Sequence, residues 1–364
     1  MSKLLFIQYQ RSQGVFNGGD QCTKRNYDMC CCVLGASQVD VLYIHDSNQK
    51  RSLRTYIEGV LYMPFGYFFG LTPARLQEIV QKAQNFDFVF IDRSVFGIIA
   101  KQLKASGYKG KVISHFHNFE RAYFDAKIKK YIPFRSVLLS CVTRNDRDAC
   151  VFSDSVIALN ERDAELLQTS FGKKPETLIP ITMQDCCAEM PKDKTLTAPR
   201  LKCLFLGSYF PANTEGIVWF MRNVEPKVNV EIKVVGKGMA KLKTDYPDLL
   251  KSIEVVSDVP DLTPYLQWAD VMVLPIFSGS GMKVKTCESL MYGKNIIGTN
   301  EAFEGYKIEN GVSAWRCNTA DEYIECINQF AAHPRPKWNE NARQCYLNNY
   351  SEKAVERMFK ELLS

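Results

Sequence analysis

Residues Val271 to Gly305 read VMVLPIFSGSGMKVKTCESLMYGKNIIGTNEAFEG, and this stretch decides the fold. It opens with a continuous apolar run, Val271 to Ile276, which is typical of a strand buried in a parallel sheet. A Gly-rich turn follows, then apolar residues at helical spacing through Met291, a stop at Gly293 and a second apolar run, Asn295 to Thr299. Strand, Gly-rich loop, helix and strand form a βαβ unit, and its loop is expected at the carboxyl edge of the sheet.

The loop of this βαβ unit combines groups that attract an anion. Gly279 and Gly281 allow close backbone approach, and backbone N–H groups at a helix N-terminus favour negative charge. Lys283 and Lys285 add two positive charges, and Glu288 follows one turn later. Cations suit a diphosphate and a carboxylate suits sugar hydroxyls, so the pattern predicts a nucleotide-sugar site. A plain tight turn and a solvated helix glutamate are the structural alternatives.

Composition bounds the class of protein. A chain of 364 residues exceeds what one hydrophobic core usually supports, so two domains are expected. The hydrophobic fraction of 46%, the charged fraction of 24% and the net charge of +6 are ordinary for a soluble enzyme. Thirteen cysteines without a C-x-x-C pair or a visible signal peptide indicate reduced core thiols and a cytoplasmic protein. No metal and no cofactor are predicted, because Asp-x-Asp is missing from any suitable loop.

Two halves of the chain repeat a β/α alternation, which predicts an α/β fold of two Rossmann-like, doubly wound parallel-sheet domains facing across a cleft. The first domain is placed at residues 1–181, an exposed linker at 182–200 and the second domain at 201–350, and a helix over 351–364 is expected to complete the first domain. The predicted strands are Lys3–Gln8, Val39–Ile44, Phe86–Asp92, Lys111–Phe116, Ser155–Leu159, Leu201–Leu206, Glu231–Val235, Ile253–Val256, Val271–Leu274 and Asn295–Gly298.

Four segments in order carry a resemblance to a known family. They are Phe116–Glu120 (FHNFE), Leu204–Asn213 (LFLGSYFPAN), Val234–Gly238 (VVGKG) and Leu274–Gly293. Together they resemble the B-type glycosyltransferase (GT-B) fold, and specifically the retaining glycosyltransferase family four, glycosyl transferases group 1. The resemblance implies transfer of a sugar from a nucleotide-diphosphate-sugar donor to a glycan or lipid-linked acceptor without a metal, as in polysaccharide or capsule biosynthesis.

The resemblance also implies roles for three catalytic candidates. Glu288 would accept hydrogen bonds from the ribose hydroxyls, and Lys285 would neutralise the diphosphate as it leaves. Lys283 and Lys285 point about 200° apart on an ideal helix, and Lys285 fits the family pattern better. His117 would hydrogen-bond the donor sugar, although His115 lies on the same face of its strand and core packing is the structural alternative.

Further contacts complete the predicted site. The donor-binding set is Gly207, Ser208, Asp258, Val259, Gly279, Ser280, Gly281, Met282 and Lys283. The set facing the phosphates and acceptor from the first domain is Gly18, Gly19, Asn118 and Glu120. For Asn118 and Glu120 a structural role is equally compatible with the sequence.

Two departures from the family pattern leave alternatives open. Family four commonly carries a glutamate eight residues before the position of Glu288, where this chain has Ser280, and the usual Arg and Lys pair after the second domain's first strand is not evident. A catalytically degenerate nucleotide-sugar-binding protein is therefore the alternative function. A nicotinamide-dependent oxidoreductase rests on Gly236-x-Gly238, but the third glycine of that fingerprint would fall at Lys241.

One aromatic segment and one basic segment stand out in the first half of the chain. Leu61 to Leu71 contains Phe65, Tyr67, Phe68 and Phe69, and Lys127 to Arg135 is rich in lysine. If exposed, they predict peripheral contact with an anionic membrane at its inner face. Buried aromatics beside an ordinary solvated helix explain the same pattern. No nucleic-acid partner is expected, because no concentrated basic stripe stands out.

Overall fold

The computed structural model describes residues 2–10, 18–45, 53–128, 134–187, 200–249, 253–279, 281–333 and 336–364. The chain divides into two compact units, residues 1–182 with 352–364 and residues 183–351. Most of the predicted linker, residues 188–199, lies outside the described residues.

Each unit is built on a parallel six-stranded sheet. In the first unit the order is β2-β1-β3-β4-β5-β6, and in the second it is β12-β11-β10-β7-β8-β9. The strands of the first are β1 Leu4–Gln10, β2 Val39–His45, β3 Phe88–Ile91, β4 Lys111–Phe116, β5 Ser155–Ala158 and β6 Thr177–Leu178. The strands of the second are β7 Leu201–Leu206, β8 Val230–Gly236, β9 Ile253–Ser257, β10 Val271–Leu274, β11 Asn295–Gly298 and β12 Trp315–Arg316.

Helices connect these strands in the manner of parallel sheets. In chain order they are α1 Gly18–Leu34, α2 Leu53–Tyr62, α3 Pro73–Ala83, α4 Ile98–Ala105, α5 Glu120–Lys127, α6 Arg135–Phe152, α7 Glu161–Phe171, α8 Pro211–Asn223, α9 Leu242–Asp245, α10 Thr263–Trp268, α11 Val284–Met291, α12 Ala320–Ala332, α13 Glu340–Asn349 and α14 Glu352–Leu362.

Strand β1 supplies both faces of the first unit's core. Leu4 and Phe6 pack on one side and Leu5 and Ile7 on the other, because successive side chains of a strand alternate. The first side is covered by α1 and by α14, which contributes Phe359 and three other apolar residues. The terminal helix is therefore a structural part of the first unit.

The aromatic segment after α2 is only partly exposed. Phe65 is 68% exposed, whereas Tyr67 and Phe68 are half-buried and pack against the core of the first unit. The condition that these aromatics be exposed is therefore met by Phe65 but not by Phe68, which contacts the rings of Phe96 and Phe124. The side chains of residues 126–127 and 129–133 lie outside the described residues. Among the described residues, no helix combines the length and the apolar character that crossing a bilayer requires.

Candidate functional site

The second unit has a topological switch point between β7 and β10. From β7 the chain moves outward to β8 and β9, and β10 then returns to the opposite side of β7. In open α/β sheets, ligands bind at the carboxyl ends of the strands at such a point. The loops that begin at Gly207 and Pro275 flank it, so the predicted Gly-rich loop lies where the fold places a ligand.

Close backbone packing explains the glycines at this edge. A Cβ atom at Gly207 would lie 2.9 Å from Lys285 Nζ and 3.0 Å from the Asn213 side chain. A Cβ atom at Gly236 would lie 1.9 Å from the carbonyl oxygen of Gly207, and one at Gly216 would lie 1.8 Å from that of Pro275. The loops after β7, β8 and β10 are thus held together without space for side chains.

Lys285 projects from the first turn of α11 toward the loop after β7. Its Nζ donates to Asn213 Oδ1 at 2.5 Å and lies 4.6 Å from the centre of the Phe205 ring. Burial lowers the pKa of Lys285 to about 7, and the charge of Lys283 adds to this effect while that of Glu288 opposes it. A partly buried ammonium whose hydrogen-bonding partners are neutral gains more from an incoming anion than one already paired with a carboxylate.

Lys283 occupies a different environment from Lys285. Its Nζ donates to Glu301 Oε1 at 2.7 Å and to the carbonyl oxygen of Gly281 at 2.8 Å. This ion pair neutralises the charge of Lys283 within the second unit. The two lysines thus differ in environment: Lys283 is paired with Glu301, whereas Lys285 faces the switch point.

Glu288 lies one turn beyond Lys285 on α11 and is half-buried. Burial raises the pKa of Glu288 to about 7, and Lys285 opposes the shift. Its carboxylate makes no hydrogen bond to another group in the described part of the chain. It remains available to accept hydrogen bonds from a ligand.

The other predicted donor contacts line the same edge of the sheet. Gly279 and Gly281 have φ angles of 133° and 64°, which favour glycine, and Met282 is buried. Ser208 is exposed and accepts from Asn213 Nδ2 through its carbonyl oxygen at 2.9 Å. Ser280 lies outside the described residues.

The loops after β8 and β9 are joined by Asp258. It has a φ of 57°, which is uncommon for a residue other than glycine, and its carboxylate accepts from the backbone N–H of Gly238 at 3.2 Å. Val259 beside it is half-buried. Packing against Gly207 and this turn therefore account for Gly236 and Gly238 without a nicotinamide cofactor.

The first unit has a corresponding switch point between β1 and β3, with a buried polar cluster at its carboxyl edge. Asp92 directly follows β3 and is fully buried. Its Oδ2 accepts from Thr23 Oγ1 at 2.6 Å and its Oδ1 accepts from Asn26 Nδ2 at 2.8 Å. The Nε2 atom of His117, which directly follows β4, lies 3.4 Å from Asp92 Oδ1.

Burial dominates the electrostatics of the two histidines in this cluster. It lowers the pKa of His115 and of His117, and the charge of Asp92 only partly offsets the shift for each. Burial also acts to raise the pKa of Asp92, but its contacts with His117, His115 and Thr23 outweigh burial, so that this pKa lies below its ordinary value. Burial favours neutral imidazoles, and the hydrogen bonds from Thr23 and Asn26 favour an ionised Asp92 carboxylate beside them.

Cys22, His115 and His117 form a group whose potential metal-ligand atoms lie within 4.8 Å of one another. The group does not fit a metal ion well. Asn26 Nδ2 lies 3.1 Å from His115 Nδ1 and directs an N–H toward it, so Nδ1 accepts and the imidazole proton is on Nε2. His115 could bind a metal through Nε2 only if that proton were on Nδ1 instead. The Arg25 guanidinium lies 3.3 Å from Cys22 Sγ and adds a competing positive charge. The absence of a metal from the site stays a prediction.

The remaining predicted residues of the first unit lie near this cluster in sequence. Gly18 and Gly19 begin α1, while the loop before them is outside the described residues. Asn118 is half-buried, and Glu120 is buried at the start of α5. Burial and the charge of Glu120 raise the pKa of Asp146 well above its ordinary value. Asp146 accepts from Ser94 Oγ at 2.7 Å and from the Arg121 backbone N–H at 3.1 Å, and so links the loops that follow β3 and β4.

Sequence reasoning missed four polar residues that shape these sites: Asp92, Thr23 and Asn26 in the first unit and Asn213 in the second. Asp92 follows an apolar strand directly, as His117 does, so its position was a usable signal. Thr23 and Asn26 lie on a helix among other polar residues, and nothing local in the sequence sets them apart.

Sequence comparison matches part of the second unit, and structure comparison matches nearly the whole chain. Residues 200–333 match the sequence profile of the family described as glycosyl transferases group 1. Several solved structures cover nearly the whole chain. Sucrose-phosphate synthase from Thermosynechococcus elongatus has 14% identity and a TM-score of 0.70, with 100% of this chain and 98% of that chain covered.

Two further structures are similar over almost their full lengths. Anabaena HepE in complex with UDP-glucose has 14% identity and a TM-score of 0.63, with 100% of this chain and 99% of that chain covered. The lipopolysaccharide outer core galactosyltransferase WaaB has 11% identity and a TM-score of 0.66, with 99% of each chain covered. The chain has the GT-B fold. None of the curated protein sequences compared with the chain matches it.

Proposed function

We propose that the protein is a glycosyltransferase that moves a sugar from a nucleoside-diphosphate sugar to a hydroxyl acceptor. The observation that carries the proposal is Lys285, whose Nζ lies beside Gly207 at the switch point of the second unit, one turn from Glu288. The similarity of residues 200–333 to glycosyl transferases group 1 supports it.

In this proposal the second unit binds the donor. Lys285 neutralises the diphosphate, and because negative charge grows on the leaving group, this contact stabilises the transition state more than the ground state. Glu288 accepts from the ribose hydroxyls, and the glycines let the backbone approach the phosphates. Since HepE, which is similar over its full length, was solved with UDP-glucose, we propose a UDP-sugar as the donor.

The finer description is also a proposal. Within this fold we infer membership of the retaining family four, with Lys285 and backbone dipoles replacing a metal and with His117 contacting the donor sugar. A glycan or lipid-linked sugar is the proposed acceptor, in polysaccharide or capsule biosynthesis. The exposed Phe65 supports a peripheral contact with a cytoplasmic membrane face.

The test is calorimetric titration of the protein with UDP, GDP and ADP, followed by UDP-sugars. We expect one nucleoside diphosphate to bind selectively, and Lys285→Ala and Glu288→Ala each to weaken binding by about 1–3 kcal/mol. Lys227→Ala and Glu325→Ala, at exposed positions of the same unit, serve as matched controls and should bind as the wild type does. Wild-type affinity in both site variants would place the donor site elsewhere.

A catalytically degenerate binding protein is the second candidate, favoured by Ser280 where family four has a glutamate. The two candidates differ in turnover. A transferase incubated with its UDP-sugar slowly hydrolyses the donor or transfers to an added acceptor, and both reactions release UDP. Selective binding without any release of UDP would favour the degenerate protein.

A further inference from the structure

The carboxylate of Asp92 meets three donor groups from two different elements. Thr23 and Asn26 approach from α1 at 2.6 and 2.8 Å, and His117 approaches from the end of β4 at 3.4 Å. Asp92 and His117 are both buried. The last distance is long for a hydrogen bond, as is common at sites that tighten when substrate binds.

The orientation of the Asn26 amide is fixed by a separate contact. Arg25 Nε donates to Asn26 Oδ1 at 2.8 Å, and the Arg25 guanidinium is itself held by the carbonyl oxygen of Pro180 at 2.6 Å. A guanidinium only donates, so the atom of Asn26 that faces it must be the oxygen. The amide NH₂ group therefore faces Asp92 and His115.

This arrangement sets the proton positions on both histidines. His115 Nδ1 faces a donor and must accept, so its proton is on Nε2. The His117 nitrogen nearest to Asp92 is Nε2, and an ionised carboxylate only accepts, so the His117 proton is on Nε2 as well. Neither ring nitrogen of His117 makes a hydrogen bond among the described residues. With the proton directed at Asp92, the Nδ1 atom is left with a lone pair.

We infer that Asp92 is a positioning residue for His117, holding its proton on Nε2 so that Nδ1 accepts a hydrogen bond from a substrate hydroxyl. The inference rests on the proposed function for the identity of the substrate. Under this inference the site requires one particular tautomer of His117 in addition to Lys285 and Glu288. Asp92 acts through His117 and does not itself touch the substrate.

A purely structural role for Asp92 makes a different prediction. If Asp92 serves only to balance the buried charge of Arg25, its negative charge matters and an oxygen acceptor at its position does not. Asp92→Asn separates the two roles. Asn26 donates to the atom on the His117 side, so the new amide must place its oxygen there, and the Thr23 hydroxyl can rotate to accept from its NH₂ group.

The direct experiment is long-range ¹H–¹⁵N NMR on the full chain labelled with ¹⁵N-histidine. The chain has four histidines, so His115→Gln and His117→Gln assign the two buried ones. We expect neutral Nε2–H tautomers for both in the wild type and in Asp92→Asn. In Asp92→Leu, which offers no acceptor, we expect His117 to lose this preference. An Nδ1–H tautomer for His117 in the wild type would overturn the inference.

Kinetics on the same variants test the consequence. We expect Asp92→Asn to keep kcat within about fivefold of the wild type, and Asp92→Leu to lower kcat by about 100-fold with little change in the donor KM. Equal losses in both variants would assign Asp92 to charge balance, and no loss in Asp92→Leu would also contradict the inference. UDP binding by each variant shows whether the second unit is intact. If the wild type binds no nucleotide and transfers no sugar, the proposed function is overturned, even where the histidine tautomers are as expected.

Discussion

Lys285 and Glu288 occupy one turn of α11, and burial moves their pKa values toward each other, to about 7 for each. Near neutral pH each group is therefore close to an even balance between its charged and uncharged forms. A diphosphate that binds beside Lys285 favours the ammonium form. Donor binding is then expected to be accompanied by proton uptake.

Glu288 should also make stability depend on pH. Between its ordinary pKa of 4.5 and about 7, the folded state keeps a proton that the unfolded state has released. Stability from this group is thus complete below pH 4.5 and is lost as pH rises to about 7. Glutamine does not titrate. We expect the difference in the free energy of unfolding between Glu288→Gln and the wild type, measured in urea, to rise in favour of Glu288→Gln as the pH increases from about 5 to about 8.

The control for this measurement is Glu325→Gln, at an exposed position of α12. Its difference from the wild type should stay constant over the same pH range. A constant difference for Glu288→Gln as well would show that the Glu288 carboxylate is not buried in solution.

The loops that follow β7 and β8 depend on a backbone contact that excludes a side chain. A Cβ atom at Gly236 would meet the Gly207 carbonyl oxygen at 1.9 Å, and the φ of Gly236 is 154°. The oxygen belongs to backbone and the Cβ atom is fixed to it, so neither can move without distorting a strand end. We expect Gly236→Ala to destabilise the protein by about 2–4 kcal/mol in urea unfolding.

Gly172→Ala is the matched control for Gly236→Ala. Gly172 has a φ of 78° but no atom within 4 Å of an added Cβ, so only the backbone conformation is penalised. We expect a cost of about 1 kcal/mol there. Equal costs at the two positions would mean that the β7 and β8 loops are not in contact.

At the scale of elements, the sequence predicts strands better than it predicts side-chain partners. Lys111–Phe116, Leu201–Leu206 and Asn295–Gly298 have the predicted bounds, because a buried parallel strand is a short apolar run with clear ends. Strands β6 and β12 were missed, since two-residue edge strands leave no such run.

Local sequence patterns could not predict which side chains pair across the fold. The Glu301 partner of Lys283 lies 18 residues further along the chain, and Asp92 lies 66 residues from Asn26. Such pairs depend on which loops the sheet order brings together. The sequence therefore predicted the Gly-rich loop but not the groups that distinguish its two lysines.

For the whole molecule, the helix α14 returns to complete the first unit. Phe359 is fully buried and stacks on Phe90 with ring centres 6.4 Å apart. We expect Phe359→Ala to cost about 3–5 kcal/mol in urea unfolding, and Arg357→Ala, with a side chain 86% exposed, to change stability by less than about 0.5 kcal/mol.

Hydrogen exchange would show which part of the molecule loses stability in Phe359→Ala. Amides of β1 and β3 should lose protection in Phe359→Ala, while those of β7 and β10 should keep theirs. Equal loss in both sheets would show that the two units unfold as one.

The return of α14 also sets an order for folding during synthesis. Whatever else the chain contains, residues 352–364 leave the ribosome after all of the second unit. All strands of the first unit have been synthesised by then, and we expect the apolar face that receives Phe359 to stay open to solvent and to chaperones. The second unit, which is continuous in sequence, can close its own core earlier. This chain therefore departs from the usual order, in which the N-terminal domain finishes folding first.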